Sequence, residues 1–415
     1  MNLAKVVRRV FALLGSCVFL LPLSACGSAN AGGRTTLSFL SWYNEQTMKP
    51  FIDEFERRNP DISVDFSFSP PTPEYIQTLQ TRLVGNQAPD VFIITSENKA
   101  DLIKNHYVRD LTDEPFMKDI DKTNKDFVSQ SSRVYGMSLS SWASGIVYNK
   151  DLLAKVGAKD VPQDWDGFLD LCARLKNVGV TPYLETISEA PSRITDGFQG
   201  SLYESRGVDV GHLVDKMPQT PGQDQKEATE AWLKLYERGL VSRNVVGMSA
   251  DDMKSEFTNG RVAMICTGPW DFPAFSESGI HWGLGAMPVL RKGMTNYAQG
   301  SPSPGYAIYS GLSGDKLKAA QKFLTFLSSK WSLEQFSRNG DAITVKGFST
   351  QVIPQYRWIY EHNVRTGKYF LVTNFFVKPD VLSTELKAET QRLLMGSEDV
   401  DGWARNVDAK MAAVQ

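Results

Sequence analysis

The sequence predicts an α/β fold arranged as two lobes, and three observations carry this prediction. Strand and helix patterns alternate over residues 36–94 and again over 145–266, which is typical of sheets with helices packed on their faces. The chain has 415 residues, and a single core stops growing at roughly 250 to 300 residues. Glycine and proline are frequent from 279 to 310, which favours strands and loops that cross between lobes.

The first lobe is predicted from an alternating series of strands and helices. A strand at 36–40 precedes a helix with apolar residues at helical spacing, and Asn59-Pro60 ends this helix. Strict alternation over 62–68 predicts a strand with one buried face. After a helix at 74–84, the apolar run 90–94 predicts a strand buried on both faces. This order predicts a parallel sheet.

The second lobe is predicted from a similar series. Strands are expected at 145–148 and 262–266, with a helix that begins at Asp164 between them. Another helix is expected at 227–238, where Gly239 provides the C-terminal cap. Apolar residues at helical spacing after Asp315 and around 403–414 predict further helices, so the C-terminus is expected to dock on the lobe.

The N-terminal segment predicts export. Lys5, Arg8 and Arg9 precede an apolar run at 10–23, as in a signal peptide. The segment ends in Leu-Ser-Ala-Cys, with the cysteine at Cys26, and this resembles the lipobox of bacterial lipoproteins. We therefore expect a signal peptide at 1–25, a lipid on Cys26 and a flexible tether at 26–34. The alternative is ordinary cleavage after Ala31, which would release a secreted protein.

Composition excludes several classes of function. Removing the three signal cations from a chain of formal charge −2 leaves −5, which argues against nucleic-acid binding. The four histidines are scattered and no phosphate-binding or nucleophile motif occurs, so no metal, cofactor or catalytic residue is expected. Cys172 and Cys266 are predicted to be buried thiols, although export also permits a disulfide between them.

Six short segments resemble one known family in the order in which they occur. They are Phe-Glu-Arg-Arg-Asn-Pro-Asp-Ile-Ser-Val at 55–64, Ala-Pro-Asp-Val at 88–91, Tyr-Gly-Met at 135–137, Val-Tyr-Asn-Lys-Asp-Leu-Leu at 147–153, Gly-Arg-Val-Ala-Met at 260–264 and Gly-Pro-Trp-Asp at 268–271. Together they resemble the extracellular solute-binding proteins of carbohydrate ABC transporters, of which maltose-binding protein is a familiar member. The resemblance runs from about residue 36 to about 340.

The resemblance implies a two-lobe, periplasmic-binding-protein-like fold of type II with a ligand cleft between the lobes. Crossings between lobes are then expected near 139–142, 300–306 and 340–350. The lobes would alternate along the chain, with lobe 1 at 35–140, lobe 2 at 141–304, a return to lobe 1 at 305–345 and a C-terminal helical segment of lobe 2 at 346–415.

The resemblance also implies a function. The protein is expected to be a monomer on the extracellular face of the cell membrane, lipid-anchored through Cys26, that captures a sugar or oligosaccharide and delivers it unaltered to ABC permease subunits. It would be neither an enzyme nor a cofactor carrier. Two alternatives stay open: a secreted glycoside hydrolase, which needs a pair of carboxylates, and a binding protein for another solute such as a polyamine.

Candidate ligand contacts are predicted from their places in this fold. Trp270 follows a strand directly and offers a stacking surface, with Asp271 beside it as a hydrogen-bond acceptor. Residues after the first and third strands are expected at the cleft because ligands bind beyond the carboxyl ends of strands. For each candidate, core packing or an ordinary loop position is the alternative. The remaining candidates are Tyr43, Asn44, Glu45, Ser96, Glu97, Asn98, Trp142, Glu185, Tyr306 and Asp341.

Overall fold

The computed structural model describes residues 34–70, 73–187 and 192–414. The predicted signal peptide, the lipidation site Cys26 and all but the last residue of the predicted tether lie outside these ranges. In the described part of the chain, no helix combines the length and apolar character that crossing a membrane requires.

The described residues form strands and helices that alternate along much of the chain. The strands are β1 (Thr35–Ser41), β2 (Ile62–Phe68), β3 (Val91–Ile94), β4 (Ser129–Gln130), β5 (Arg133–Val134), β6 (Ser140–Ala143), β7 (Gly145–Asn149), β8 (Thr181–Leu184), β9 (Val262–Thr267), β10 (Trp282–Gly285), β11 (Ala298–Pro302), β12 (Gly305–Ile308), β13 (Ala342–Ile343) and β14 (Tyr369–Phe370). The α-helices are α1 (Glu45–Arg58), α2 (Pro73–Val84), α3 (Ser96–Lys104), α4 (Lys122–Phe127), α5 (Lys150–Ala154), α6 (Trp165–Asn177), α7 (Arg193–Ser205), α8 (Pro221–Glu237), α9 (Ala250–Thr258), α10 (Phe272–Glu277), α11 (Gly314–Leu327), α12 (Lys330–Arg338), α13 (Arg357–Ile359), α14 (Pro379–Leu394) and α15 (Val400–Ala413).

Several helix ends follow from local side-chain chemistry. The Asp164 side chain accepts a hydrogen bond from the backbone N–H of Gly167 and so caps α6, which begins one residue after the predicted start. Asp399 caps α15 in the same way, through Gly402. After α8, Gly239 has φ of +62°, a left-handed conformation that glycine adopts without steric cost. These residues set where the helices begin and end.

The first sheet has the strand order β12-β3-β1-β2. β1 is parallel to both β2 and β3, which confirms the predicted parallel pairing, and β12 joins antiparallel to β3. The prediction of one buried face on β2 holds for Ile62, which is buried, and for Val64 and Phe66, which pack against the hydrophobic core, but it fails at Phe68, which is 45% exposed. β2 is the edge strand, so its carboxyl end has a neighbouring strand on one side only.

The second sheet has the strand order β10-β7-β9-β8. β8 and β9 are parallel, whereas β7 is antiparallel to both β9 and β10. The six residues of β9 are all buried, as expected for a strand covered on both faces. Trp165, Phe168 and Tyr183 pack their rings together in the core beside this sheet.

Two separate hydrophobic clusters form the cores of the two lobes. The first contains buried side chains from 37–139 and 306–345, and the second contains buried side chains from 143–298 and 342–411. The chain therefore builds one core, leaves it for the other, returns to the first and ends in the second. The lobe boundaries proposed from the sequence stay predictions.

A third sheet, which we call the crossing sheet, has the strand order β13-β6-β11-β14. β6 leads directly from the first cluster to β7 of the second sheet, and β11 leads back towards β12 of the first sheet. Both β11 and β13 are antiparallel to β6. Two of the chain segments that pass between the lobes are thus each hydrogen-bonded to the third, β6.

Candidate functional site

One face of the crossing sheet gathers predicted and unpredicted polar residues. Ser301 on β11 lies opposite Trp142 on β6, and opposed residues of an antiparallel pair project from the same face. Ser140 is two residues from Trp142 and shares that face, because side chains alternate along a strand. The Ser140 hydroxyl also donates to the Ser303 hydroxyl, at 2.8 Å.

Asp341, the residue directly before β13, joins this face. Ala342 pairs with Ser141, so continuing the register by one residue sets Asp341 opposite Trp142. The structure thus brings two predicted site residues, Trp142 and Asp341, to neighbouring positions. We call the face the cleft floor, and its members are Ser140, Trp142, Ser301, Ser303 and Asp341.

A small pocket opens beside the cleft floor. Two further predicted site residues, Tyr43 and Tyr306, line this pocket. Tyr43 follows β1 and Tyr306 lies on β12, so the fold of lobe 1 places both side chains. We call this cavity the Asp341 pocket, and its lining residues are Tyr43, Leu139, Ser140, Ser303, Pro304, Tyr306, Phe336, Asp341 and Ile343.

The carboxyl of Asp341 is not balanced by a positive charge. Burial raises its pKa from 3.8 to about 7, and a hydrogen bond from Ser140 opposes that rise. Among the described residues, no cation contributes to the pKa of Asp341. Burial and the nearby Asp341 carboxyl also raise the pKa of the Tyr43 hydroxyl. The pocket therefore disfavours negative charge unless a ligand supplies a compensating group.

Trp142 of the cleft floor forms an aromatic pair with Trp270, which lies on the lobe 2 side. The rings of Trp142 and Trp270 meet edge to face, with centroids 5.4 Å apart and planes at 80°. Trp270 is 50% exposed, although its indole rests against the backbone of Gly268, where an added Cβ would lie 2.3 Å from the ring. A half-exposed indole held in place by its own turn offers a flat apolar surface.

Asp271 anchors the turn that carries Trp270. The Thr267 hydroxyl donates to Asp271 Oδ2 at 2.6 Å, and Lys254 Nζ lies 3.4 Å from Asp271 Oδ1. Only 12% of the Asp271 side chain is exposed. The structure therefore uses the predicted acceptor Asp271 chiefly to hold the turn in shape.

Arg193, which the sequence reasoning missed, reaches the same aromatic surface. Its guanidinium lies over the Trp270 ring, 5.3 Å from the centroid, and its Nη1 donates to Gln299 Oε1 at 2.6 Å. Gln299 Nε2 in turn donates to Asp196 Oδ2 at 2.9 Å. Burial raises the pKa of Asp196 to about 7. These contacts link the start of α7 to β11, and no local motif marks them in the sequence.

Asn374 is a second missed residue near the cleft floor. Its Nδ2 donates to the Ser301 hydroxyl at 2.8 Å. Its Oδ1 is buried and, within the described part of the chain, accepts no hydrogen bond. Buried amide oxygens are normally paired, so this atom is available to a hydroxyl donor. Asn374 follows β14, far along the chain from its partner, and nothing near it in the sequence indicates the contact.

The polar residues predicted after β1 and β3 lie at the expected edge of the first sheet, but two of them act locally. Asn44 Oδ1 accepts from the backbone N–H of Thr47 at 2.9 Å and caps α1. Asn98 Oδ1 accepts from the backbone N–H of Thr95 at 2.8 Å, inside a capping box of α3. The other predicted residues of this edge lie in the first turns of these helices: Glu45, Ser96 and Glu97.

Glu185 lies in the core of lobe 2, where its carboxyl accepts four hydrogen bonds. Trp232 Nε1 donates at 2.6 Å and the Tyr236 hydroxyl at 2.8 Å. The hydroxyls of Ser192 and Tyr183 donate to the other oxygen at 3.0 and 3.4 Å. Burial raises the pKa of Glu185 despite these donors. The carboxyl is thus fully engaged within the protein.

Cys172 and Cys266 are both buried and free. Burial raises the pKa of each thiol above its ordinary value. The structure therefore matches the prediction of two small buried thiols rather than the disulfide alternative.

The fold and sequence together identify the class of protein. A family model described as bacterial extracellular solute-binding protein matches residues 41–330. The chain belongs to this family, which confirms the resemblance noted in the sequence. The family consists of binding proteins rather than enzymes, and its members act outside the cell.

Individual relatives agree with this assignment. A family 1 extracellular solute-binding protein from Bifidobacterium longum subsp. infantis superimposes with a TM-score of 0.80 at 30% identity, covering 92% of this chain and 100% of that one. The multiple sugar-binding protein of Streptococcus mutans is 24% identical over 343 residues, which are 78% of this chain and 80% of that protein. The maltodextrin-binding protein MdxE of Bacillus subtilis is 25% identical over 304 residues, 69% of each. The predicted two-lobe α/β fold is confirmed.

Proposed function

We propose that the protein captures a sugar or oligosaccharide between its lobes and delivers it to the permease of an ABC importer. One observation carries the proposal: the exposed face of Trp270 and the Asp341 pocket lie at the same cleft floor. A sugar ring needs an apolar surface for its C–H face and hydrogen-bonding groups for its hydroxyls. The names of relatives that bind multiple sugars and maltodextrin support the choice of solute.

The chemistry of the floor suits such a ligand. Trp142 and Trp270 would cover ring faces, since stacking on an indole removes apolar surface from water. Asp341 and Asn374 would make directional bonds, because the Asp341 carboxyl has no positive partner and the Asn374 amide oxygen accepts no hydrogen bond within the described part of the chain. Tyr43, which lines the pocket, would add its hydroxyl. We do not propose Glu185 as a contact, because its carboxyl already accepts four hydrogen bonds.

Closure of the lobes would couple capture to delivery. The Asp341 pocket draws its walls from lobe 1, whereas Trp270 and Arg193 belong to lobe 2. A ligand that contacts both sets binds the closed form more tightly and therefore favours it. The permease would then recognise the closed form. No covalent step is required, so the solute leaves unaltered.

A thermal-shift screen of monosaccharides and oligosaccharides tests the proposal. A ligand present at about 100 times its Kd stabilises the fold by about 2.7 kcal/mol. We expect Trp270→Ala to abolish the shift while the free protein still melts cooperatively, because this side chain is half exposed.

Trp331→Ala is the matched control. Trp331 packs against Phe51 and Phe326 in lobe 1, so its loss should lower the melting temperature and leave sugar binding intact. If Trp270→Ala kept full affinity, the stacking role would be wrong. New reducing ends after incubation with oligosaccharides would indicate a glycoside hydrolase instead. A thermal shift with polyamines and with no sugar would indicate a polyamine-binding protein.

We also propose that a lipid on Cys26 anchors the mature chain, as a monomer, to the outer face of the membrane. The support is the Leu-Ser-Ala-Cys segment that ends at Cys26. Metabolic labelling with palmitate should mark the wild-type protein and leave Cys26→Ala unlabelled. Release of the unlabelled wild type into the medium would favour the secreted alternative.

A further inference from the structure

The carboxyl of Asp341 has no positive partner among the described residues, unlike two other acids of the lobes. Asp90, a buried acid of lobe 1, is paired with Lys316 at 3.1 Å. Asp271, beside the aromatic pair, is paired with Lys254 at 3.4 Å. Among the described residues, none supplies a corresponding cation to Asp341. Of these three acids, only Asp341 lacks a counter-charge. It also lines the pocket, which the other two do not.

The surroundings of this carboxyl suit a cation from outside. Three aromatic residues, Tyr43, Tyr306 and Phe336, line the pocket, and aromatic side chains attract ammonium groups. The titratable groups packed around Asp341 are the Tyr43 and Tyr306 hydroxyls, whose pKa values are both raised. Both hydroxyls are therefore neutral near pH 7 and do not compensate the carboxylate.

A neutral hydroxyl and a protonated amine differ in what they offer this site. Either can donate a hydrogen bond to Asp341. Only the amine also neutralises the buried charge, and hydrogen bonds between charged groups are about twice as strong as neutral ones. A carboxylate that is largely removed from water without a counter-charge is costly, so a cation stabilises such a group more than a neutral donor does.

We propose that the Asp341 pocket binds a protonated amino group and that the captured solute is an amino sugar. This inference rests on the proposed function and narrows its ligand class. Trp270 would stack on the sugar ring while the ammonium enters the pocket that Tyr43 and Tyr306 line.

Isothermal titration calorimetry with matched pairs tests the inference. The pairs are glucosamine with glucose, galactosamine with galactose, and the β-1,4-linked glucosamine disaccharide with cellobiose, each measured near pH 7. We expect the amine of at least one pair to bind about tenfold more tightly than its neutral counterpart. The variant Asp341→Asn should lose this preference and change the affinity for the neutral sugar only about threefold, because the amide retains an acceptor oxygen.

Asp315→Asn is the control for general attraction of cations to an acidic protein. Asp315 is exposed at the start of α11 and paired with Lys318, so its neutralisation removes the same charge from lobe 1 without touching the pocket. It should preserve the amine preference. Equal binding within every pair, failure of every amine to bind, or a preference that survives Asp341→Asn would each overturn the inference. The proposed function would fail separately, if no sugar in the wider screen bound.

Discussion

Among single residues, Asp341 makes the unfolding free energy depend on pH, because its carboxyl binds a proton more tightly in the folded protein than in the unfolded chain. Its folded pKa is about 7, against an ordinary value of 3.8, so between these values the folded protein holds a proton that the unfolded chain releases. The contribution of this group to the unfolding free energy is therefore most favourable at acid pH, and that contribution is lost as the pH rises towards about 7. Above that pH the loss is complete.

Asp341→Asn should remove this pH-dependent loss. We expect the variant to be more stable than the wild type by about 2 kcal/mol near pH 8, a figure that allows for partial exposure of the side chain. Near pH 4 the two proteins should unfold with similar free energies, as measured by urea denaturation at each pH. A variant that was less stable near pH 8 would show that the charged carboxylate is stabilised by the fold.

At the scale of elements, the turn between β9 and α10 fixes the direction of the Trp270 indole. Gly268 has φ of −127° and ψ of −170°, an extended conformation open to any residue. Its replacement by alanine is therefore limited by space alone, since the new Cβ would lie 2.3 Å from the Trp270 ring. The ring would have to turn away from its present position.

Gly268→Ala should accordingly weaken sugar binding about tenfold or more with little loss of stability. Gly247→Ala is the matched control, because a Cβ there meets no atom within 4 Å and its affinity should equal that of the wild type. Calorimetry on both variants checks the expectation. Unchanged binding by Gly268→Ala would mean that the ligand does not use the observed indole position.

Glu185 belongs to the packing of α8 against the sheet of lobe 2 rather than to the binding face. Glu185→Ala would leave the Trp232 N–H and the Tyr236 hydroxyl without their acceptor. We expect the unfolding free energy to fall by about 3 kcal/mol, whereas Glu185→Gln, which retains an acceptor, should cost less.

The folded fraction of the Glu185→Ala variant should bind sugar with the same affinity as the wild type. Denaturant titration and calorimetry on the same preparations separate the two effects. Lost affinity with normal stability would restore Glu185 as a ligand contact.

The elements were predictable where the signal lies within one segment. Periodicity located α6, whose cap Asp164 and apolar stripe are neighbours in sequence. The same reasoning misplaced the burial of Phe68 on β2, because alternation does not reveal which strand ends at the edge of a sheet. It also assigned Asn44 and Asn98 to the ligand, although each binds a backbone N–H three residues away.

At the scale of the whole molecule, the order of lobes followed from the family resemblance, but the detailed site did not. Trp142 and Asp341 were both candidates, yet their adjacency depends on the pairing of β6 with β13, which no local pattern encodes. The contacts of Arg193 with Gln299 and of Asn374 with Ser301 also join distant segments. Side chains that meet only through sheet register could not be paired from one sequence.

The crossing sheet also determines how the lobes can move. β11 and β13 are each hydrogen-bonded to β6, so the three crossings should bend together as one hinge while the two hydrophobic clusters move as rigid bodies. A ligand that contacts Trp270 from lobe 2 and the Asp341 pocket from lobe 1 draws these bodies together only in proportion to its preference for the closed form.

Small-angle X-ray scattering can detect this closure. We expect the radius of gyration to fall when the sugar identified by the thermal screen saturates the wild type. Trp331→Ala should compact to the same extent, because its change lies in the lobe 1 core. Trp270→Ala should keep its larger radius of gyration at the same sugar concentration, because the ligand has lost its contact with lobe 2. A ligand that bound tightly in calorimetry and left the scattering unchanged would separate capture from closure, and recognition by the permease would then have to depend on a surface that the ligand itself completes.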